Sequence, residues 1–389
     1  MPKLNLPKKS VKNTKNTEPV TNDVFVIEID KEELKIGLYT KKDNNIQNIG
    51  HQTIVKEKYN FENSLCTEEN LNLVNSKLDK ITALYPTKSK SLILGITQRN
   101  IISYTTTVRI KRINNEEKIS KKEIDDFVEK IINNCKNEIT GDRPDITIEL
   151  LNSDIIFTKV DGYITKQPEG MRGTTLEISI FVNFINADYL EELINFANKI
   201  GLNLVTIASG IYAFNKALNN NIDSNYLLIN SDYNTTNLGV VFAGELFYGT
   251  FVNFGYSDIK NYLAVKHNLN QKETEDAISQ KVVDEQIIES SKKIYDYLYE
   301  LVSLRLQNAK KVKLLPENIK ITGKKSLAHD KQLLINNLAS LNFKNEPVSS
   351  IINTDNFDFF DKSVQKVPKY SYTLNVALAK FCFNILNLN

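Results

Sequence analysis

Two segments of this 389-residue chain begin in the same way. VFVIEI (24–29), LKIGLY (34–39) and a run from about Ile46 are short, β-branched and separated by polar turns; YLLIN (226–230), LGVVF (238–242) and ELFYGTFVNF (245–254) repeat the arrangement. Such runs form antiparallel meanders. The first is followed by a helical spacing, Leu71, Val74, Leu78 and Ile81, and then by SLILGI (91–96), which reads as a buried strand. A chain that builds a meander and then adds helix and strand, and does so twice, is expected to be an α/β protein with duplicated halves.

Between the halves, SKKE at 120–123 is a capping box leading into Ile124, Phe127, Val128, Ile131, Ile132 and Cys135 at helical spacing. Strand-like runs flank it: YTTTVRI before, and ITIELL, DIIFTKVDGYIT and TTLEISIFV after. Residues 98–183 therefore read as a strand-helix-strand-strand module, with PEGMRG (168–173) as a loop. DYLEELINFANKIG predicts a helix that stops at Gly201, followed by the strand LNLVTIA and a short helix around YAFNKAL. Residues 256–307 read as helix, with the charged stretch KETEDAISQKVVDEQ as a solvated face. NIKITG predicts a strand, AHDKQLLINNLASL a helix, 345–368 an irregular segment, and YSYTLNVALAKFCFNIL a closing apolar helix.

Composition excludes more than it identifies. Hydrophobic residues make up 41% and charged residues 25%, a soluble globular balance, and the net charge of +2 names no nucleic acid or acidic partner. Cys66, Cys135 and Cys382 are too scattered for a disulfide framework or zinc site and are expected to be core thiols in a reducing cytosol. His51, His267 and His329 are isolated, and no H-x-x-x-H or G-x-S-x-G motif occurs. The basic run RIKR at 109–112 alternates along a strand and is expected to be a solvated face. No stretch is long and apolar enough to span a bilayer, so the chain reads as cytoplasmic. Residues 1–23, rich in Lys, Asn, Thr and Pro, read as a disordered basic tail able to touch an anionic surface.

LINSDYNTTNLGVV (228–241) lies without a gap on a phosphate-binding turn of the form LIDIGGGTTDIAVF, with Thr235 and Thr236 on its threonines and Gly255 on the first glycine of a later motif. Pro168, Gly170, Met171, Gly173, Leu176 and Glu177 match a D-P-x-G-M-x-G-x-x-L-E pattern. On these residues, over about 24–385, the chain resembles the actin-like ATPases of bacteria, and within them the FtsA family more than the PilM family. The resemblance implies an actin-like ATPase fold, with duplicated RNase H-like halves and an inserted module as in FtsA. It implies subdomains at 24–97 with 365–389 (1A), 98–183 (the insertion), 184–261 with 319–364 (2A), and 262–318 (2B).

The resemblance also implies a nucleotide site, because the family closes two glycine-bearing turns on phosphates and holds magnesium through an aspartate from each. Its positions are Asp30, Lys31, Asn230, Asp232, Thr235, Thr236, Gly255, Gly323 and Lys324. Their chemistry has changed. The first turn's DIGTS is Asp30-Lys31-Glu32-Glu33, and a carboxylate about 4 Å from a triphosphate repels it by on the order of 4 kcal/mol at an effective dielectric near 20. In the second turn, Asn230 and Asn237 replace aspartates and Asp232, Tyr233 and Asn234 replace glycines, so the Tyr233 side chain is expected in the phosphate path. The adenosine motif keeps only Gly323, followed by Lys324 and Lys325.

No catalytic residue is assigned, and a kinase would need a general-base aspartate beside an intact magnesium site. The expected function is an FtsA-like cell-division scaffold that binds ATP weakly or not at all and links a tubulin-like division ring to the membrane. The alternatives are a PilM-like platform for type IV pilus assembly, or a remodelled nucleotide-switched polymer in which Lys31, Lys324 and Lys325 supply charge. ATP and magnesium stay open as cofactors. Expected partners are a division-ring peptide, a pilus membrane-protein peptide or further copies of the chain, but not nucleic acid. Membrane contact would be indirect or through the basic tail, at the inner face of the cell membrane.

Overall fold

The computed structural model describes residues 22–30, 33–43, 45–55, 65–141, 145–218, 224–278, 284–309, 312–323, 331–361, 368 and 371–386. The chain begins with β1 (Asp23–Ile29), β2 (Glu33–Lys42), β3 (Asn45–Val55), α1 (Glu68–Leu84) and β4 (Ser91–Ile96). Next come β5 (Ile101–Lys111), α2 (Lys121–Gly141), β6 (Ile148–Val160), β7 (Tyr163–Thr165) and β8 (Thr175–Asn186). Then follow α3 (Ala187–Lys199), β9 (Asn203–Ser209), α4 (Gly210–Leu218), β10 (Tyr226–Ser231), β11 (Thr236–Phe242) and β12 (Glu245–Val252). The last elements are α5 (Tyr256–His267), α6 (Gln271–Ile278), α7 (Glu285–Gln307), β13 (Asn318–Gly323), α8 (Lys331–Leu338), β14 (Val348–Ile351), β15 (Phe360–Asp361) and α9 (Thr373–Ile385).

Two compact units divide these elements: Ser103–Asp188, and Asn22–Ile102 with Tyr189–Asn389. The larger unit holds two sheets built on one plan. In the first, ordered β15-β3-β2-β1-β4-β9, the antiparallel meander β1–β3 gains the parallel strand β4 on the far side of β1. In the second, ordered β12-β11-β10-β13-β14, the meander β10–β12 gains the parallel strand β13 on the far side of β10. The duplication expected from sequence is therefore present in the topology. Strands covered on both faces read as continuous apolar runs, and β1 and β10 are buried almost throughout. Helix α9 is buried nearly all round and packs against α4 and β1, and the Tyr39 hydroxyl of β2 donates to its Asn375 Oδ1 at 2.9 Å.

The smaller unit is a four-stranded sheet, β5-β8-β6-β7, covered by the apolar face of α2 through Ile124, Phe127, Val128 and Ile131. ITIELL and DIIFTKV, expected as separate strands, are one strand, β6, which crosses its polar middle on register shifts at Leu150/Asn152 and Ile155/Phe157. RIKR is only partly solvated. Arg112 is buried; its Nε and Nη2 donate to the two Glu123 carboxylate oxygens at 2.6 and 2.9 Å, and its Nη1 to the Gly173 carbonyl at 2.8 Å. A guanidinium can be buried here because its fork is satisfied on both sides.

Two further expectations change. The helix expected over 256–307 is three helices: α5 ends at Asn268 in the left-handed region (φ 51°), and α7 restarts on Asp284, whose side chain accepts from the N–H groups of Gln286 and Ile287. Residues 345–368 are not wholly irregular, because they contain β14 and β15. Cys135 and Cys382 are buried and Cys66 is half-buried. No helix among the described residues is long and apolar enough to cross a membrane.

Candidate functional site

In the larger unit, β1 and β10 end facing one another. Glu28 and Asp30 project from β1, Lys35 from β2, Asn230 and Asp232 from β10 and its turn, and Thr322 from β13; with Phe214 of α4 and Thr373 and Leu374 at the start of α9 they enclose one small cavity. Its free volume is about 10 Å³, the space of one water.

Hydrogen bonds join the turns across this cavity. The backbone N–H of Tyr233 donates to Asp30 Oδ2 at 3.1 Å, and that of Asp232 donates to the Thr235 carbonyl at 2.8 Å. A phosphate cradle depends on such N–H groups pointing at the anion, and these two already have protein acceptors. The Asp232 carboxylate accepts from Asn230 Nδ2 at 2.8 Å and from Asn237 Nδ2. Just behind the turn, the first free N–H groups of α5 would ordinarily suit an anion. Those of Tyr256 and Ser257 donate instead to the carbonyls of Asp232 and Tyr233 at 3.1 and 2.7 Å.

Charge in the cavity is lopsided. Lys35 Nζ lies 2.6 Å from Glu28 Oε1 and 3.7 Å from Glu33 Oε1, all three residues being buried. Burial alone would lower the Lys35 ammonium, but the carboxylates of Glu28, Glu33 and Asp30 together raise it above the ordinary lysine value. Burial pushes the Glu28 carboxyl up despite Lys35. Asp232 rises further, well above the ordinary carboxylate range, because it is buried and faces Asp30 and Glu28. Burial thus disfavours the ionised form of Asp232, while the amides of Asn230 and Asn237 donate to its two oxygens.

Of the positions expected to form a site, Asp30, Asn230, Asp232 and Gly323 come together around the cavity. Gly323 is required there: its φ is +112° and a Cβ would run into the Ser231 carbonyl oxygen. Gly255 caps α5 against the turn, where a Cβ would meet the Tyr233 carbonyl oxygen at 2.6 Å. Thr235 and Thr236 serve the turn itself, donating to Asn237 Oδ1 at 3.2 Å and to the Phe254 carbonyl at 2.8 Å. Lys31 and Lys324, and with them Glu32, Lys325 and His329, lie outside the described residues. One expectation is corrected: the Tyr233 side chain turns away from the cavity and packs near the Tyr256 ring, centroids 6.2 Å apart, against the core under α5. The obstruction comes from Asp232 and from the closed backbone. Reading the sequence missed Glu28, Lys35 and Thr322; the available signal was a charge in the middle of each apolar strand of a hairpin, Glu28 opposite Lys35 in register.

ATP and magnesium do not fit these residues. Among the described residues, the N–H groups of Asp232 and Tyr233 are engaged, the space is that of one water, and the carboxylates outnumber the ammonium. Among the described residues no group of three or more His, Cys, Asp or Glu is arranged to hold a metal ion.

No family model matches the sequence, and no curated protein matches it. Among solved structures, a chain of the PilM-PilN type IV pilus biogenesis complex is similar to this one with a TM-score of 0.62 at 13% identity, covering 92% of this chain and 98% of that one. The ethanolamine utilization protein EutJ from Carboxydothermus hydrogenoformans is similar with a TM-score of 0.51 at 10% identity, covering 92% and 89%. With two meander-based sheets, each extended by parallel strands on the far side of its first strand, this chain has the actin-like ATPase fold.

Proposed function

We propose that this protein is an actin-fold scaffold that holds partners and does not turn over nucleotide. The observation that carries the reading is the bond from the Tyr233 N–H to the Asp30 carboxylate, which joins the two phosphate turns directly to each other. Nucleotide could enter only by breaking that contact and exposing a cluster of buried carboxylates, an unfavourable exchange. In this reading 24–97 with 365–389 and 184–261 with 319–364 are the two large subdomains, 262–318 is the helical one, and 98–183 is the insertion.

The scaffold fits two settings. Similarity to a chain of a PilM-PilN complex over nearly all of that chain's length supports a platform that binds a short segment of a pilus membrane protein. The P-x-G-M-x-G-x-x-L-E residues at 168–177 support an FtsA-like division scaffold. A pilus-type platform is slightly the better supported, since the TM-score to that chain is 0.62.

The test is calorimetric titration with magnesium-ATP of the native chain and of a variant with Asn230→Asp and glycines at 232–234. No heat up to millimolar nucleotide is expected for the native chain, which bounds binding at less than about 4 kcal/mol. Micromolar binding by the native chain would overturn the scaffold reading and favour a nucleotide-switched polymer.

A further inference from the structure

At one end of the smaller unit, three loops are tied into a single tip. The N–H of Arg112 donates to the Thr174 carbonyl, that of Ile119 to the Met171 carbonyl and that of Gly170 to the Ile119 carbonyl, each at 2.8 Å. The β6–β7 hairpin joins them through its turn residues Asp161 and Gly162, both with positive φ; the Asp161 carboxylate accepts from the N–H groups and hydroxyls of Thr174 and Thr175. The buried Arg112 fork closes the base of the tip.

Apolar side chains project from this braced end. Ile113 is 97% exposed, Tyr163 78%, Ile164 73% and Met171 37%. Single exposed apolar residues are ordinary, but Ile113 and Met171 stand on the joined loops and Tyr163 and Ile164 follow the hairpin turn at the same end of the sheet, so four gather there. Around it stand Lys111, Lys118, Lys121, Lys122, Lys166 and Arg172, all exposed, against four exposed acids, Glu116, Glu117, Asp161 and Glu169. Asp161 stays anionic, because the N–H and hydroxyl donors of the two threonines hold its carboxyl below the usual carboxylate range, so the six cations exceed the four acids by two.

We propose that this tip is a docking surface for an anionic lipid bilayer, with Ile113, Tyr163, Ile164 and Met171 entering the interface and the surrounding lysines and Arg172 resting on the headgroups. Aliphatic side chains gain by leaving water, and a tyrosine suits the boundary, where its ring is apolar and its hydroxyl stays wet. Basic residues placed around an apolar wedge add attraction to anionic lipid that fades within a Debye length. The surface shares no residue with the closed cavity and stands whether or not the scaffold reading does.

The test uses the full chain in vesicle flotation, with phosphatidylcholine alone or mixed with an equal part of phosphatidylglycerol. Flotation is expected with the anionic vesicles only and should weaken as salt rises. Ile113→Ser, Tyr163→Ser and Ile164→Ser together should weaken it about tenfold or more with an unchanged melting temperature, since all three side chains are mostly exposed. The chain has no tryptophan, so Tyr163→Trp supplies a sole reporter, whose emission should shift to the blue on adding anionic vesicles. The proposal is overturned by absence of flotation, by equal flotation on neutral lipid, or by the triple variant floating like the native chain, which would assign binding to another segment. An emission shift with polyglutamate but not with vesicles, or a change in oligomeric state of the triple variant without lipid, overturns it as well.

Discussion

The two meanders of the larger unit share a topology and differ in what they bury. β1, β2 and the turn between them carry Glu28, Asp30, Glu33 and Lys35, so the first half contributes ionisable groups to the shared cavity. β10 and β11 carry Asn230, Thr235, Thr236 and Asn237, neutral hydrogen-bonding groups, with one carboxyl, Asp232, between two amides. Compared with the family turn, amides stand where two carboxylates would, and a carboxyl stands where a glycine would. These differences compensate one another, since each amide gains an acceptor and the carboxyl gains two donors. A duplicated fold therefore keeps its halves closed with side chains of its own, charge on one side and donors on the other.

Lys35→Met would break this division most severely. It leaves Glu28, Glu33 and Asp30 without the buried cation beside them, and removing one partner of a buried pair costs about 3–5 kcal/mol. Urea denaturation should show that loss, and Glu28→Gln in the same chain should restore part of it. If Lys35→Met is neutral, the cavity is wet enough to screen its carboxylates and the contrast between the halves disappears. Next in size is Gly323→Ala, which tests the backbone side of the closure. A Cβ at φ +112° facing the Ser231 carbonyl should cost roughly 2–3 kcal/mol, visible as a lowered melting temperature. An unchanged melting temperature would mean that β13 is free to move away from β10.

Much of this architecture was legible in the sequence, because meanders, α2 and its cap, and the stop at Gly201 depend on local patterns of apolar spacing and turn residues. The closure was not. Glu28 and Lys35 read as single charges in apolar strands, and only pairing in register puts them 2.6 Å apart. The partner of Asp30 lies 203 residues away. Tyr233 illustrates the same limit, since composition places a bulky residue in the turn but cannot tell which way its ring leaves the backbone. For Arg112, too, burial depends on a carbonyl, that of Gly173, which only the fold brings near.

The effect that is smallest in acid, and grows with pH, isolates the odd member of the second meander. Asp232 has its pKa raised in the folded state by burial beside Asp30 and Glu28, against 3.8 in the unfolded chain. Below pH 3.8 both states hold the proton and its full contribution is present. As pH rises, the unfolded carboxyl ionises first, so the folded state binds more protons and stability falls until the folded pKa is passed. Asp232→Asn cannot ionise and escapes that loss, though it loses one acceptor for Asn230 or Asn237 at every pH, a constant offset on the order of 1 kcal/mol. The stability of the variant minus that of the native chain should therefore be flat in acid. Above pH 3.8 it should climb by about 1.4 kcal/mol for each pH unit until the folded pKa is reached. A flat difference across the range would mean that Asp232 is ionised in the folded protein, and a falling one that its charge is what holds the turn. In either case the second meander would be charged like the first, and the contrast between the halves would be lost.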